Sequence, residues 1–248
     1  MVETVESRRG QTGPGANSFK VYTAGSIFTQ HDLLANVHIK KSVWRQSNGR
    51  FELVLPQSKE LRDLDRADLA AHIRNLDLAQ VLGSDAFLAR FDGLEPDAGV
   101  VVEFMLAKFV AKPTVILRSD SRRSVDGLDE PYNLMLKNWP RSVEVRFDSI
   151  MKYAGWFAEE RGNLTIEGTV QAGMEAEFRT VQRGVDEIAR GIIQALHAVL
   201  ELPSPYPPEY REIVYRAARH LPGAGFDQLV SEQELDRLLE RLDKAGAL

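Results

Sequence analysis

The sequence predicts an α/β fold, a parallel sheet with helices on both faces, extended at its C-terminal end by helices. Three observations carry this expectation. Short strand-like runs alternate with longer segments of helical period, and the connections between them are short. The first run ends in a Gly-Ser turn, and the carboxyl end of a first strand is where open sheets place ligands. The run at 113–120, PTVILRSD, is the most apolar of the set, as suits a strand buried on both faces.

Taken in order, residues 1–17 are polar and Gly-rich without periodicity, and are expected to be disordered. FKVYTAGSIF at 19–28 reads as a first strand and its turn. Leu33, Leu34, Val37, Val43 and Trp44 give a helix over 31–47, and FELVLP at 51–56 gives a second strand closed by Pro56. Leu69, Ile73, Leu76 and Val81 set a helix over 65–82, and AFLARF at 86–91 is the next strand. The strand at 113–120 leads into RSDSRR at 118–123, read as a solvated loop, and into a long irregular loop over 121–142. VEVRF at 143–147 and a helix over 149–160 close the α/β part. Beyond it, an apolar stripe from Met174 to Val199 predicts a long helix over 172–202, read as packing or oligomer surface. PSPYPP at 203–208 is a stiff break. Helices follow near 209–220 and 231–245, the second opened by a Ser231–Glu234 capping box. The organisation is thus a segment 1–17, an α/β domain 18–162 and a helical extension 163–248.

Composition removes several classes of function. A net charge of -5 argues against a protein built to bind nucleic acid. Without cysteine there is no disulfide and no thiolate chemistry, and the five histidines show no zinc-binding spacing. Gly25 stands alone, without the GxGxxG fingerprint, so no nicotinamide or flavin is expected. No apolar run reaches the ~18 residues of a membrane helix, and no signal-peptide core is visible, so a soluble cytoplasmic protein is expected.

The chemistry concentrates between Asp92 and Lys112, DGLEPDAGVVVEFMLAKFVAK. A Gly-, Pro- and Asp-rich loop runs into an apolar helix that carries one carboxylate, Glu103, near its start. Asp97 is placed to cap that helix, whose positive end would favour an ionised Glu103. An ionised carboxylate beside a ligand-holding loop is what a carboxylate nucleophile needs. A solvated glutamate on an ordinary helix is the alternative.

Four pieces in register resemble the nucleoside 2-deoxyribosyltransferases, over roughly residues 19–160. These are VYTAGSIF, Asp77 followed eight residues later by Asp85, DAGVVVE with its Asp97 and Glu103, and PYNLML. The pattern is most similar to the trypanosomal members. The resemblance implies a flavodoxin-like sheet and transfer of 2-deoxyribose between nucleobases through a covalent glycosyl-enzyme. It implies that Glu103 is the nucleophile, that Asp77 manages the proton of the nucleobase, and that Tyr22 holds Glu103. Asp97 would bind the sugar 5′-hydroxyl, joined by Asn133 from a neighbouring subunit of a homo-oligomer. Met135 would line the site and Gly25 would lie in the substrate loop. A deoxyribonucleoside and a free nucleobase are the implied partners, with no metal or organic cofactor.

Three features depart from the pattern. Phe104 and Met105 follow Glu103 where the family has an apolar residue and Gly, Val100 replaces a small or polar residue, and the C-terminal extension has no counterpart in compact members. Two other readings remain open. One is an N-glycoside hydrolase of nucleosides or their 5′-monophosphates, for which Asp97 facing a phosphate is unfavourable unless Arg90 or Arg118 points inward. The other is a non-catalytic nucleotide sensor or scaffold.

Overall fold

The computed structural model describes residues 18–58, 66–122, 130–162 and 170–248. The segment expected to be disordered, 1–17, lies outside them, as do the end of the RSDSRR run and the junction at 163–169. Five strands form one sheet: β1 Phe19–Ala24, β2 Phe51–Val54, β3 Ala86–Arg90, β4 Thr114–Arg118 and β5 Ser142–Arg146. Every pairing is parallel and the order is β2-β1-β3-β4-β5, the flavodoxin-like winding. The winding reverses between β1 and β3, so a crevice opens at their carboxyl ends.

The helices are α1 Gln30–Gln46, α2 Arg66–Gly83, α3 Ala98–Phe109, α4 Ser149–Gly162, α5 Val170–Leu200, α6 Pro208–His220, α7 Phe226–Leu229 and α8 Glu232–Lys244. The two-residue period of the strands sorts their side chains into two cores. Val21, Leu88, Val115 and Leu117 pack with α1 and α5, through Ile39, Val43, Ile192 and Leu196. Tyr22, Phe87, Ala89 and Ile116 pack on the other face with α2 and α3, and there Tyr215, Phe226, Leu235 and Leu239 from the C-terminal helices join the same cluster. Both faces are therefore covered partly by the helices that follow residue 169.

The lower end of the sheet is bound to those helices by buried basic side chains that donate to backbone carbonyl groups. Lys112, fully buried, donates to Leu82 O at 3.2 Å, to Ser84 O, and toward the Tyr215 hydroxyl at 3.2 Å. Arg141 donates to Ala111 O at 3.1 Å, Ala247 O at 3.2 Å and Leu202 O at 3.1 Å. Arg241 pairs with Asp85 and donates to Gly83 O. Burial, above all, lowers the Lys112 ammonium to about 7, and does the same for Lys108.

Two expectations need correction. Arg118 does not belong to a solvated loop: it is the buried last residue of β4, and its guanidinium is turned onto the carbonyls of Phe91, Gly93 and Arg122. The loop over 121–142 contains a 3-10 turn at Leu134–Leu136, capped by Asn133 through Met135 N at 2.9 Å. The four-residue α7 was not expected at all; it follows three consecutive left-handed residues, Gly223, Ala224 and Gly225.

Candidate active site

β1 carries Tyr22 to the middle of the sheet, wholly buried, with its hydroxyl directed at the crevice. That hydroxyl lies 2.6 Å from Glu103 Oε1 and 2.8 Å from Asp77 Oδ1, within donating reach of both. Three separate elements thus deliver one cluster: β1 the phenol, α2 Asp77 and α3 Glu103. Burial first, and then the Glu103 carboxylate, hold the phenol well above its ordinary value, so it remains an O–H donor.

Asp97 begins α3 as its N-cap, accepting from Gly99 N at 2.9 Å and Val100 N at 3.3 Å. Glu103 is the sixth residue of that helix, beyond the first turn where the helix dipole is felt. The phenol contact at 2.6 Å acts on Glu103 more directly than the dipole does. Ahead of α3, the loop is held from beneath by Asp92, which accepts from Ser119 N at 2.7 Å and Asp120 N at 3.0 Å. Gly93 has a φ of +99°, a conformation few other residues adopt.

Above the cluster is a cavity of about 370 Å³, within the range of small-molecule sites. Asp77, Glu103, Asp97 and Gly25 line it, and the remaining wall is mainly apolar, with Ile27, Phe28 and Ile73. Any side chain at Gly25 would press on Arg90, whose Cβ and Cδ lie 3.3 Å from where a Cβ would stand. Asn133 and Met135 do not line this cavity: both are exposed on the surface, with Met135 77% accessible.

Gln57 lines the cavity and was missed by sequence reasoning. It donates to Leu33 O at 3.3 Å and accepts from Asn36 Nδ2 at 2.8 Å. Asn36 also accepts from Arg90, whose other nitrogen is 3.3 Å from Asp92. Nothing in the sequence links these positions. Ile73 carried a signal, standing four residues before Asp77 and so on the same helical face. Both cations suggested as phosphate partners, Arg90 and Arg118, are engaged internally. Among the described residues, no group of three or more His, Asp or Glu is arranged to hold a metal ion, and no helix is long and apolar enough to cross a membrane.

Comparison with known proteins bears on the same segment. The family model of nucleoside 2-deoxyribosyltransferases matches residues 21–135, which bears out the resemblance read from the sequence. A conserved protein of Enterococcus faecalis V583 of known crystal structure is 28% identical, with a TM-score of 0.40, over 48% of this chain and 84% of its own. A 2-deoxyribosyltransferase from Bacillus psychrosaccharolyticus is 16% identical, also with a TM-score of 0.40, over 52% of this chain and 85% of its own. No curated protein matches the chain.

Proposed function

We propose, from the membership of residues 21–135 in the nucleoside 2-deoxyribosyltransferase family, that this chain transfers 2-deoxyribose between nucleobases through an ester to Glu103. The observation that carries the proposal is the Tyr22 hydroxyl set between Asp77 and Glu103, two carboxyl groups that line the cavity. In the first displacement the C1′–N bond breaks and its electron pair leaves with the base, which takes a proton from Asp77. Glu103 stabilises the positive charge growing at C1′ and closes a C1′–O bond. In the second, a nitrogen of the acceptor base attacks C1′, Asp77 takes the proton of that nitrogen, and Glu103 leaves as a carboxylate. Two inversions retain configuration.

Proton inventory supports these roles. A phenol has one hydrogen to donate. Given to Glu103 at the shorter distance, it orients that carboxyl group toward the cavity. The acid role has Asp77 carry a proton before the base leaves, and its 2.8 Å contact with the same phenol oxygen can accommodate one.

Asp97, in the cavity wall, suits a sugar hydroxyl and repels a phosphate. With Arg90 and Arg118 turned onto internal partners, a free nucleoside is the better substrate than its 5′-monophosphate. Asn133 and Met135 are assigned to the site of a neighbouring copy in a homo-oligomer, which their exposure outside their own cavity supports.

The test is a product assay with 2′-deoxyinosine and adenine. Deoxyadenosine should form, and Glu103→Ala should reduce its formation by at least about 10³-fold, as loss of a nucleophile does. Hypoxanthine released without deoxyadenosine would indicate a hydrolase. Turnover that survives Glu103→Ala would reject the nucleophile.

A further inference from the structure

We infer that Asn75 is a positioning residue for Asp77, anchoring the back of α2 to the left-handed turn that precedes α7; the catalytic part of this inference rests on the proposed role of Asp77 as the acid. Asn75 is only 5% exposed, yet it is polar and lies on a helix that packs into an apolar core. Its Nδ2 donates to Ala224 O at 3.0 Å, across 149 residues of chain. Its Oδ1 accepts from Arg74 at 2.9 Å, and Arg74 itself reaches Pro222 O at 3.1 Å. Two adjacent side chains of α2 therefore grip two carbonyls of one turn.

The turn is shaped for this. Gly223, Ala224 and Gly225 have φ values of +59°, +44° and +77°. Left-handed backbone is unfavourable for a non-glycine residue, so Ala224 holds this conformation only where surrounding contacts impose it. The turn ends in Phe226, fully buried in the same core cluster as Leu78, Val81 and Leu82 of α2.

On α2, Asn75 and Asp77 are two residues apart, about 200° around the helix axis. The face that lines the cavity carries Ile73 and Asp77; the opposite face is held by the turn. Rotation or slippage of α2 would carry the Asp77 carboxyl away from Tyr22 and from the leaving base. A misplacement of about 1 Å in such a group costs on the order of 10²-fold in rate. The C-terminal helices thus take part in catalysis at a distance, through the helix that carries the acid.

The test compares two donors and adds a measurement independent of turnover. Hypoxanthine leaving from 2′-deoxyinosine needs a proton, whereas the base of 7-methyl-2′-deoxyguanosine leaves already neutral. Asn75→Ala is expected to lower kcat for 2′-deoxyinosine by about tenfold or more and kcat for the methylated donor by less than about twofold. Arg74→Ala, a milder cut at the same grip, should show the same split at smaller size. In Asn75→Ala, hydrogen exchange of α2 amides should quicken about tenfold while the sheet amides stay as in wild type. Equal losses with both donors in an active, folded variant would overturn the inference, as would unchanged exchange over α2. A wild-type chain that cleaves neither donor would instead reject the transferase reading and the catalytic half of this one, and exchange over α2 would still decide whether the turn holds the helix.

Discussion

The hydroxyl of Tyr22 is asked to serve two carboxylates with one hydrogen, and the proposed division of labour follows from that constraint. Tyr22→Phe removes the hydrogen while keeping the ring and its packing against Phe87. Glu103 and Asp77 then both lose the phenol hydrogen bond that joins them. We expect kcat for deoxyribosyl transfer to fall about 10²-fold, with KM changed little, because the contact acts on developing charge rather than on the bound nucleoside. Steady-state kinetics on the purified variant check this; a change confined to KM would remove Tyr22 from the chemistry. At this scale, part of the candidate site was legible in the sequence. Tyr22, Asp77, Asp97 and Glu103 are chemically distinctive and stand in family register, and the structure brings all four to one crevice. Gln57, Asn36 and Arg90 were not legible, since their contacts join positions 21 and 54 residues apart that no local pattern connects.

Asp97 belongs to the scale of the element, because it serves the helix as well as the cavity. Its carboxylate satisfies two N–H groups at the start of α3, and α3 in turn fixes Glu103. The two roles separate by substitution. Asp97→Asn keeps a capping oxygen, and Asn caps about as well as Asp, so the fold should hold within a few tenths of a kcal/mol. Asp97→Ala should lose about 1 kcal/mol. Both should raise KM for 2′-deoxyinosine if the carboxylate binds the 5′-hydroxyl. Thermal unfolding beside kinetics distinguishes the cases, and normal KM values in a destabilised Asp97→Ala would leave Asp97 a cap only. Elements of this kind read well from sequence when they carry a cap or a long period: the Asp97 cap and the Ser231–Glu234 capping box both form. The four residues of α7 and the turn at Leu134–Leu136 are too short to impose a period, and their shape follows from left-handed residues and tertiary contacts instead.

For the whole molecule, alternation of strands and helices was legible, while the seat of the C-terminal helices was not. Their contacts with Asn75, Asp85 and Lys112 span more than 100 residues and depend on buried charge, which sequence patterns treat as surface. That buried charge has a consequence for pH. Lys112 and Lys108 both titrate near 7 in the folded chain, against an ordinary 10.5 once unfolded. For Lys112, burial outweighs the opposing attraction of Asp85, and Arg241 and Arg141 add to the lowering. Between those values the unfolded chain binds protons that the folded chain does not, so stability rises with pH across the window and is lost as pH falls toward 7. Each lysine contributes a slope of at most about 1.4 kcal/mol per pH unit. The buried tyrosines Tyr22, Tyr132 and Tyr215 are all held above their ordinary value, so they oppose this trend only as pH approaches about 10, where the unfolded phenols ionise and the folded ones do not; the lysine slope is read below that. Lys112→Met removes one titrating group, along with donors to Leu82 O and Ser84 O, so it shifts absolute stability and also flattens the pH slope. Urea unfolding of wild type and Lys112→Met at several pH values across the window reads the difference directly. Wild type should gain on the variant with each step upward in pH. Parallel profiles would show that Lys112 stays charged in the folded protein, its three hydrogens shared among Leu82, Ser84 and Tyr215, and that the junction between sheet and C-terminal helices is an ionic one.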